Sequence, residues 1–479
     1  MIKMFLKSPF YLLLFILTAF ISFEDFLLKF LPVSDSFFFY SRFVSEILIY
    51  IAFTLVIAIK IIKRIPLVRT PIDLPIFLFL GSAFLSILIN DSPIWGSIAN
   101  LRPWLRFFIL FYLILNIKIT TIQASIINRT VILAGIVQVA IGLIQYISHG
   151  VLDNFLLPRA SDTEIGGIAK NNIILKAGRE IGSIYGAAGD TVMYGTFIIL
   201  ILILVISKLH IPKLISYGEN NENINSLNED KILSPKFLGF LLPFLLIAIS
   251  LSYVRACVFA AIVLIIIHSL KTFGRARTAI ALFAILIIGS LFFIATPPEY
   301  SGNARIEEQS IVNNLTGIFT SDYTKQLKNQ RLGALIGTAP TVIFNRPFLG
   351  YGADQVSAID SLNASKISFL TKVWTTEGFK DVYWVAILTF YGLAGLISLV
   401  WMFLRLYYSA QYIYKISSEQ ITKEISFSVK YIIIITSFLL FFNRTIEFRI
   451  YGFYFWLLPG LMFRLYIQER TQVWELRKE

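Results

Sequence analysis

Apolar runs long enough to cross a bilayer recur from one end of this chain to the other, and nothing else narrows its possible folds so far. A helix needs about 20 predominantly apolar residues to span hydrocarbon, and only helices or closed barrels satisfy their backbone groups there. Candidate spans lie near Phe10–Phe23, Phe43–Ile62, Leu74–Ile89, Leu101–Ile117, Val131–Ile147, Ala187–Ile206, Phe237–Tyr253, Ala256–Ile267, Ala279–Ala295, Val382–Leu404, Tyr431–Phe442 and Tyr451–Ile467. The expectation is an all-α membrane protein of about 12 transmembrane helices, nine in residues 1–296 and three in residues 382–479.

Composition agrees. Of 479 residues, 57% are hydrophobic and 15% charged, against roughly 25% charged in a soluble domain, which excludes soluble and disordered classes. Cys257 is the single cysteine, so no disulfide forms within the chain. A net charge of +13 would fit nucleic acid in a soluble protein. In a membrane protein it points to cytoplasmic loops and anionic lipid, so membrane lipids are expected partners and nucleic acid is not.

Short cytoplasmic loops collect lysine and arginine. With both termini cytoplasmic, 23 of the 42 basic residues fall on the inner side, among them Lys60, Lys63, Arg64, Lys118, Lys208, Lys415 and Lys430. Residues 210–236 include GENNENINSLNED, too polar to bury a core, and read as a flexible cytoplasmic linker. The outer segment from Pro297 to Lys380, about 84 residues long, carries its own periodicity and is expected to be an ordered, partly helical extracytoplasmic domain between spans nine and ten, re-entering the bilayer at Asp381. Within it, Leu332, Leu335, Ile336 and Ile343 share a helical face. That helix should stop near Arg346, because Pro347 disfavours helix at the residue before it and Gly350 and Gly352 permit a turn.

No GxxxxGK[ST], HExxH, GxSxG or paired CxxC occurs. His149, His210 and His268 are scattered, so no metal and no cofactor is expected. Arginine on the outer side is the informative feature: Arg255 in SLSYVRACVFAA, Arg331 opening the outer helix, Arg179 before GSIYGAAGD, Arg102 and Arg106 in LRPWLRFF, and Arg444 and Arg449 in NRTIEFRIYG. A guanidinium is a planar fork of donors that matches phosphate oxygens in pairs, and a helix start adds free amides. Several forks converging would clamp a pyrophosphate. Equally, these arginines would snorkel to headgroups or pair with Glu24, Asp25, Asp190 and Glu447. For a general base, Asp381 stands where the outer domain re-enters the bilayer, and desolvation there would raise its pKa; it would also cap a helix. Asp190 and Glu377 are further acids near the same face.

Four stretches, GREIGSIYGAAGDTVMYG, SLSYVRACVFAAIVL, RLGALIGTAPTVIFNRPFLGYGADQV and DVYWVAILTFYGLAGLISLV, resemble in order and spacing the O-antigen ligase and O-antigen polymerase family of bacterial membrane glycosyltransferases. The resemblance implies transfer of a glycan from undecaprenyl pyrophosphate to a sugar hydroxyl on the outer face of the cytoplasmic membrane, without nucleotide, metal or other cofactor. It implies that Arg255 and Arg331 present guanidinium groups to the pyrophosphate. It implies a chain-length regulator and a flippase as partners. Ligases that cap the lipid A core typically carry a His-Asn pair eleven residues before the first Gly of a GLxG-like turn. Counting back from Gly392 reaches Asp381 and Val382 instead, so the expectation is a polymerase of O-antigen, capsule or exopolysaccharide, with a ligase as alternative. A transporter of lipid-linked sugars is the rival from another class; such folds commonly repeat internally, and no match between halves is visible.

Overall fold

A computed structural model describes residues 8–31, 40–41, 43–148, 151–156, 183–211, 233–272, 334–364 and 382–476. Every regular element among them is helical. Seven helices are long and apolar enough to cross a membrane: α1 (Pro9–Leu28), α2 (Val44–Ile62), α4 (Ile94–Asn116), α5 (Thr121–Ile147), α6 (Thr191–His210), α11 (Tyr383–Ile416) and the Arg449–Thr471 part of α13 (Arg449–Leu476). Shorter apolar helices are α3 (Asp73–Ile89), α7 (Pro235–Leu251) and α8 (Arg255–Thr272), and α12 covers Gln420–Leu439. Each expected apolar run among the described residues is helical. The run at 279–295 lies outside them, as do 212–232 of the linker and all of the outer segment except 334–364.

Local sequence explains where these helices begin. Thr120 and Gln123 form a capping box that starts α5. Ser234 accepts from the Phe237 amide ahead of Pro235 at the first turn of α7. Asp190 accepts from the amides of Val192 and Met193 and starts α6. Burial separates central from peripheral helices. In α6 and α13, 78% and 83% of the apolar stretch is enclosed by protein, against 33% in α2, whose outward residues Ile47, Ile51 and Leu55 are exposed as suits lipid contact.

Contacts between helix ends sort the polar groups into two sets. At one end Lys60 Nζ donates to Asn116 Oδ1 at 2.8 Å, Ser207 to the Glu424 carbonyl at 2.7 Å and Ser417 to Glu469 at 2.6 Å. At the opposite end Ser45 donates to Glu24 at 2.8 Å, Asn100 to the Ala353 carbonyl at 2.8 Å, and the Tyr383 amide to the Leu440 carbonyl at 2.8 Å. The lysines expected in inner loops, including Lys60, Lys208 and Lys430, belong to the first set.

The helix expected to stop near Arg346 does so. A π-helical turn at Ala334–Thr338 leads into α9 (Ala339–Asn345), with Arg346 as its C-cap. The chain then turns through Pro347–Gly352 and continues as α10 (Gln355–Ala364). That turn docks against a break in α11, where Gly392 adopts φ 64, ψ −164. Carbonyls freed by the break are taken up from outside the helix: the Tyr351 amide donates to Thr389 O at 2.8 Å and the Gly352 amide to Phe390 O at 3.2 Å. In return, the amides of Leu393 and Ala394 donate to the carbonyls of Pro347 (2.7 Å) and Phe348 (3.1 Å), and the Ser86 hydroxyl reaches the carbonyls of Leu349 and Phe390. Non-helical backbone among membrane helices persists only where protein satisfies it. Gly350, at φ 63, lets the two backbones touch; a Cβ there would run into the Thr389 carbonyl.

Candidate functional site

Between α12 and α13 the chain makes a 3₁₀ turn, Thr445–Glu447, which carries a carboxyl to the first turn of α11. Tyr383 donates its hydroxyl proton to Glu447 Oε1 at 2.5 Å, and Trp104 Nε1 of α4 donates to the same hydroxyl at 2.9 Å. Arg444 reaches Glu447 Oε2 at 3.8 Å; its side chain is 47% exposed and that of Glu447 17%. Glu447 lies outside the membrane-spanning helices. Burial pushes its carboxyl above the usual glutamate range, and Arg444, the Tyr383 hydrogen bond and Arg106 oppose that shift without cancelling it.

Beside this pair opens a small cleft. Asn100, Gln355, Tyr383, Tyr391, Arg444 and Glu447 supply its polar groups, over an apolar floor of Ala386, Ile387 and Phe390.

Behind the cleft lies a web of buried ion pairs. Glu46 accepts from Tyr50 at 2.6 Å and faces Arg106 at 3.4 Å and Arg102 at 3.5 Å. Arg449 meets Glu24 at 2.8 Å and Asp25 at 3.6 Å. Ring faces back two of the cations, Phe43 under Arg102 at 4.5 Å and Phe107 under Arg106 at 4.3 Å. Buried charge of this kind is stable only when paired, and here each arginine faces a carboxylate.

The structure thus brings Arg102, Arg106, Arg444 and Arg449 to one end of the bundle, each against acid: Glu46 for the first two, Glu447 for Arg444, and Glu24 and Asp25 for Arg449. Asp190 serves as the N-cap of α6. Arg255 heads α8 just after a turn in which Tyr253 adopts φ 56. Arg179, Arg331, Glu377 and Asp381 lie outside the described residues. Sequence reasoning missed Glu46, Tyr383, Asn100 and Gln355, and treated Glu447 only as an ion-pair partner. A signal existed for two of them: Glu46 interrupts an apolar run with Tyr50 one turn later, and Glu447 stands between two arginines in RTIEFR. The histidines, far apart in sequence, are not all far apart in space; His210 and His268 lie 5.1 Å ring to ring at the lysine-rich end. Among the described residues no group of three or more His, Cys, Asp or Glu is arranged to hold a metal ion.

No family model matches the chain, and no curated protein matches it.

Proposed function

We propose that this protein is a bacterial membrane glycosyltransferase of the O-antigen polymerase type, embedded in the cytoplasmic membrane with both termini cytoplasmic and its site on the outer face. The observation that carries the reading is the cleft at Glu447: a carboxyl with a raised pKa and a guanidinium side by side at the mouth of an apolar helical bundle, backed by buried ion pairs. Ionisable side chains among membrane helices are costly and mark function. The four sequence stretches described above supply the reaction class.

In this reaction an acceptor sugar hydroxyl attacks the anomeric carbon of a glycan carried on undecaprenyl pyrophosphate. The new glycosidic C–O bond forms as the anomeric C–O bond to the pyrophosphate breaks. The bonding pair leaves on the pyrophosphate oxygen, and the hydroxyl proton passes to a base. We assign the base to Asp381, two residues before the cleft-lining Tyr383 in sequence, and the leaving-group charge to Arg255 and Arg331. Guanidinium groups preorganised where charge develops stabilise the transition state most where water is excluded.

The test is reconstitution of the purified protein with an undecaprenyl-pyrophosphate-linked repeat unit. Chain extension without ATP or divalent cation is expected, and a requirement for either would overturn the mechanism. In cells, loss of the gene should leave single repeats on the acceptor; long chains stranded on undecaprenyl pyrophosphate would point to a ligase. The break at Gly392 favours one rival, a transporter of anionic lipid-linked sugars, because discontinuous helices are common in transporters. A transporter would move the lipid-linked repeat across proteoliposomes without forming a bond.

A further inference from the structure

Arg102, Arg106, Arg444 and Arg449 each meet a carboxylate. At the opposite, lysine-rich end of the bundle, Lys60 of α2 and Arg464 of α13 do not. The Lys60 ammonium donates to Asn116 Oδ1 at 2.8 Å and to the Pro66 carbonyl at 3.2 Å. Arg464 Nη1 reaches the Leu115 carbonyl at 3.5 Å, and its Nε is buried with no hydrogen-bond partner among the described residues. Neutral acceptors hold both groups in place and cancel neither charge. The charge that acts on Lys60 is the like charge of Arg464, and among the described residues no carboxylate pairs with either. Asp73, the acid of this corner, accepts from Thr70 and Tyr112 instead.

The local backbone gathers further cations around this pair. Arg64 takes the left-handed conformation, φ 52, and the Ile65 amide returns to the Lys60 carbonyl at 2.8 Å. The chain thereby folds back until the Val68 amide meets Asn116 Oδ1 at 3.1 Å. Lys63, Arg64 and Arg69 stand exposed on this turn, and Lys118 on the turn after α4. Just inside the turn, Ile59, Ile61 and Ile62 are 40%, 70% and 80% exposed, as suits hydrocarbon. Cations drawn partly out of water without a counter-charge are costly, and phosphate oxygens suit both guanidinium and ammonium donors. A zwitterionic headgroup brings its own cation and leaves the surplus in place. We propose that Lys60 and Arg464, with Lys63 beside them, bind the phosphate of an anionic phospholipid whose acyl chains lie along Ile59 and Ile62. The bound headgroup bridges α2 and α13 where their like charges now oppose each other. This lipid site does not depend on the transferase reading.

The test titrates the full-length protein in a neutral detergent with phosphatidylglycerol and with phosphatidylcholine of the same acyl chains, and native mass spectrometry counts bound lipid. Phosphatidylglycerol is expected to bind more tightly. Lys60→Gln and Arg464→Gln should each weaken its binding about fivefold, and the two together about thirtyfold, the scale of one and two basic residues at a lipid headgroup. Lys236→Gln with Lys415→Gln removes the same charge from exposed positions on other helices and should weaken binding less than about twofold. Arg464→Lys, which keeps the charge, should recover most of what Arg464→Gln loses. Size-exclusion elution shows whether each variant is folded. Should the double variant aggregate, Lys63→Gln carries the test: its side chain is exposed, and its loss should weaken binding about twofold to fivefold. Equal binding of the two lipids, an equal loss in the control pair, or unchanged binding in the folded double variant or in Lys63→Gln would each overturn the proposal. So would displacement of the lipid by inorganic phosphate, which would assign the site to a soluble anion. A protein that binds phosphatidylglycerol here and extends no chain keeps the lipid site and loses the polymerase.

Discussion

The hydroxyl of Tyr383 and the carboxyl of Glu447 are 2.5 Å apart, joining the first turn of α11 to the loop that leads into α13. Tyr383 also accepts a hydrogen bond from the Trp104 indole, so α4, α11 and the 3₁₀ turn before α13 meet on one oxygen. Because the phenol donates to Glu447, it favours the ionised carboxylate, while burial favours the neutral acid. The Glu447 carboxyl is therefore expected to titrate with a midpoint above the ordinary glutamate value of about 4.3, read from the NMR shift of its labelled carboxyl carbon. Tyr383→Phe removes the phenolic donor and should move that midpoint higher still. In Glu447→Gln that titration should vanish. Arg444, Arg106 and Tyr391 also face this carboxyl, so the midpoint is to be compared between variants in one buffer and salt concentration. A midpoint that falls in Tyr383→Phe would contradict the geometry.

Arg449 stands between Glu24 and Asp25, and Glu24 is 1% exposed. Removing the cation leaves carboxylate buried without compensation, a loss of about 3–5 kcal/mol for such pairs. Arg449→Ala should sharply lower the thermal unfolding midpoint in detergent. The double substitution Glu24→Gln with Arg449→Met should recover much of it, since an uncharged pair of similar volume carries no desolvation penalty.

At Gly392 a methyl group meets two obstacles, the left-handed backbone and the Phe348 carbonyl. Gly392→Ala is expected to destabilise by about 1–3 kcal/mol or more and to expose the Pro347–Gly352 turn to protease. Gly81, within α3 and with nothing near its would-be Cβ, is the matched control: Gly81→Ala should be neutral or stabilising by up to about 1 kcal/mol.

Two glutamines of α5 hold the segment before α6 in place. Gln145 Oε1 accepts from the amides of Tyr185 (3.1 Å) and Gly186 (3.0 Å), and Gln138 accepts from Ala187 at 2.9 Å while donating to the Ser22 carbonyl at 2.6 Å. Gln145→Leu strands two buried amides at about 1–3 kcal/mol each. Hydrogen exchange at residues 183–190 should accelerate in that variant while exchange within α6 stays slow.

For the transfer reaction itself, Arg255→Ala and Arg331→Ala should abolish chain extension while the protein still inserts and folds, and Asp381→Asn should do the same. Undiminished turnover in Asp381→Asn would remove it as the base. A gel of reconstituted product reads all three.

The helical, membrane-embedded class was legible because hydrocarbon imposes length and apolarity on each span, as in the run TVMYGTFIILILILV that became α6. The end of α9 was legible because proline and glycine act locally. What was hidden depends on distant pairing. Nothing in the local sequence says that Tyr383 and Glu447, 64 residues apart, are hydrogen bonded, or that Gln355 faces a cleft. An arginine among apolar residues reads alike whether it awaits a phosphate or already has a carboxylate, and the shared partner of Arg102 and Arg106, Glu46, lies two helices earlier, in α2. Gly392 was counted from for its motif spacing, yet its break escaped notice, because GLAG inside an apolar run costs a helix little on paper and only a docking partner shows that the break is used.

That break bears on how the chain is made. The stretch from Tyr383 to Tyr391 amounts to nine residues, less than half of what a lone helix requires to traverse lipid, and its open carbonyls are matched by Tyr351 and Gly352, synthesised some forty residues earlier, and by Ser86, earlier still. The short helix before the break is therefore completed only when stretches far apart in sequence, around Ser86, Pro347–Gly352 and Thr389–Ala394, have come together.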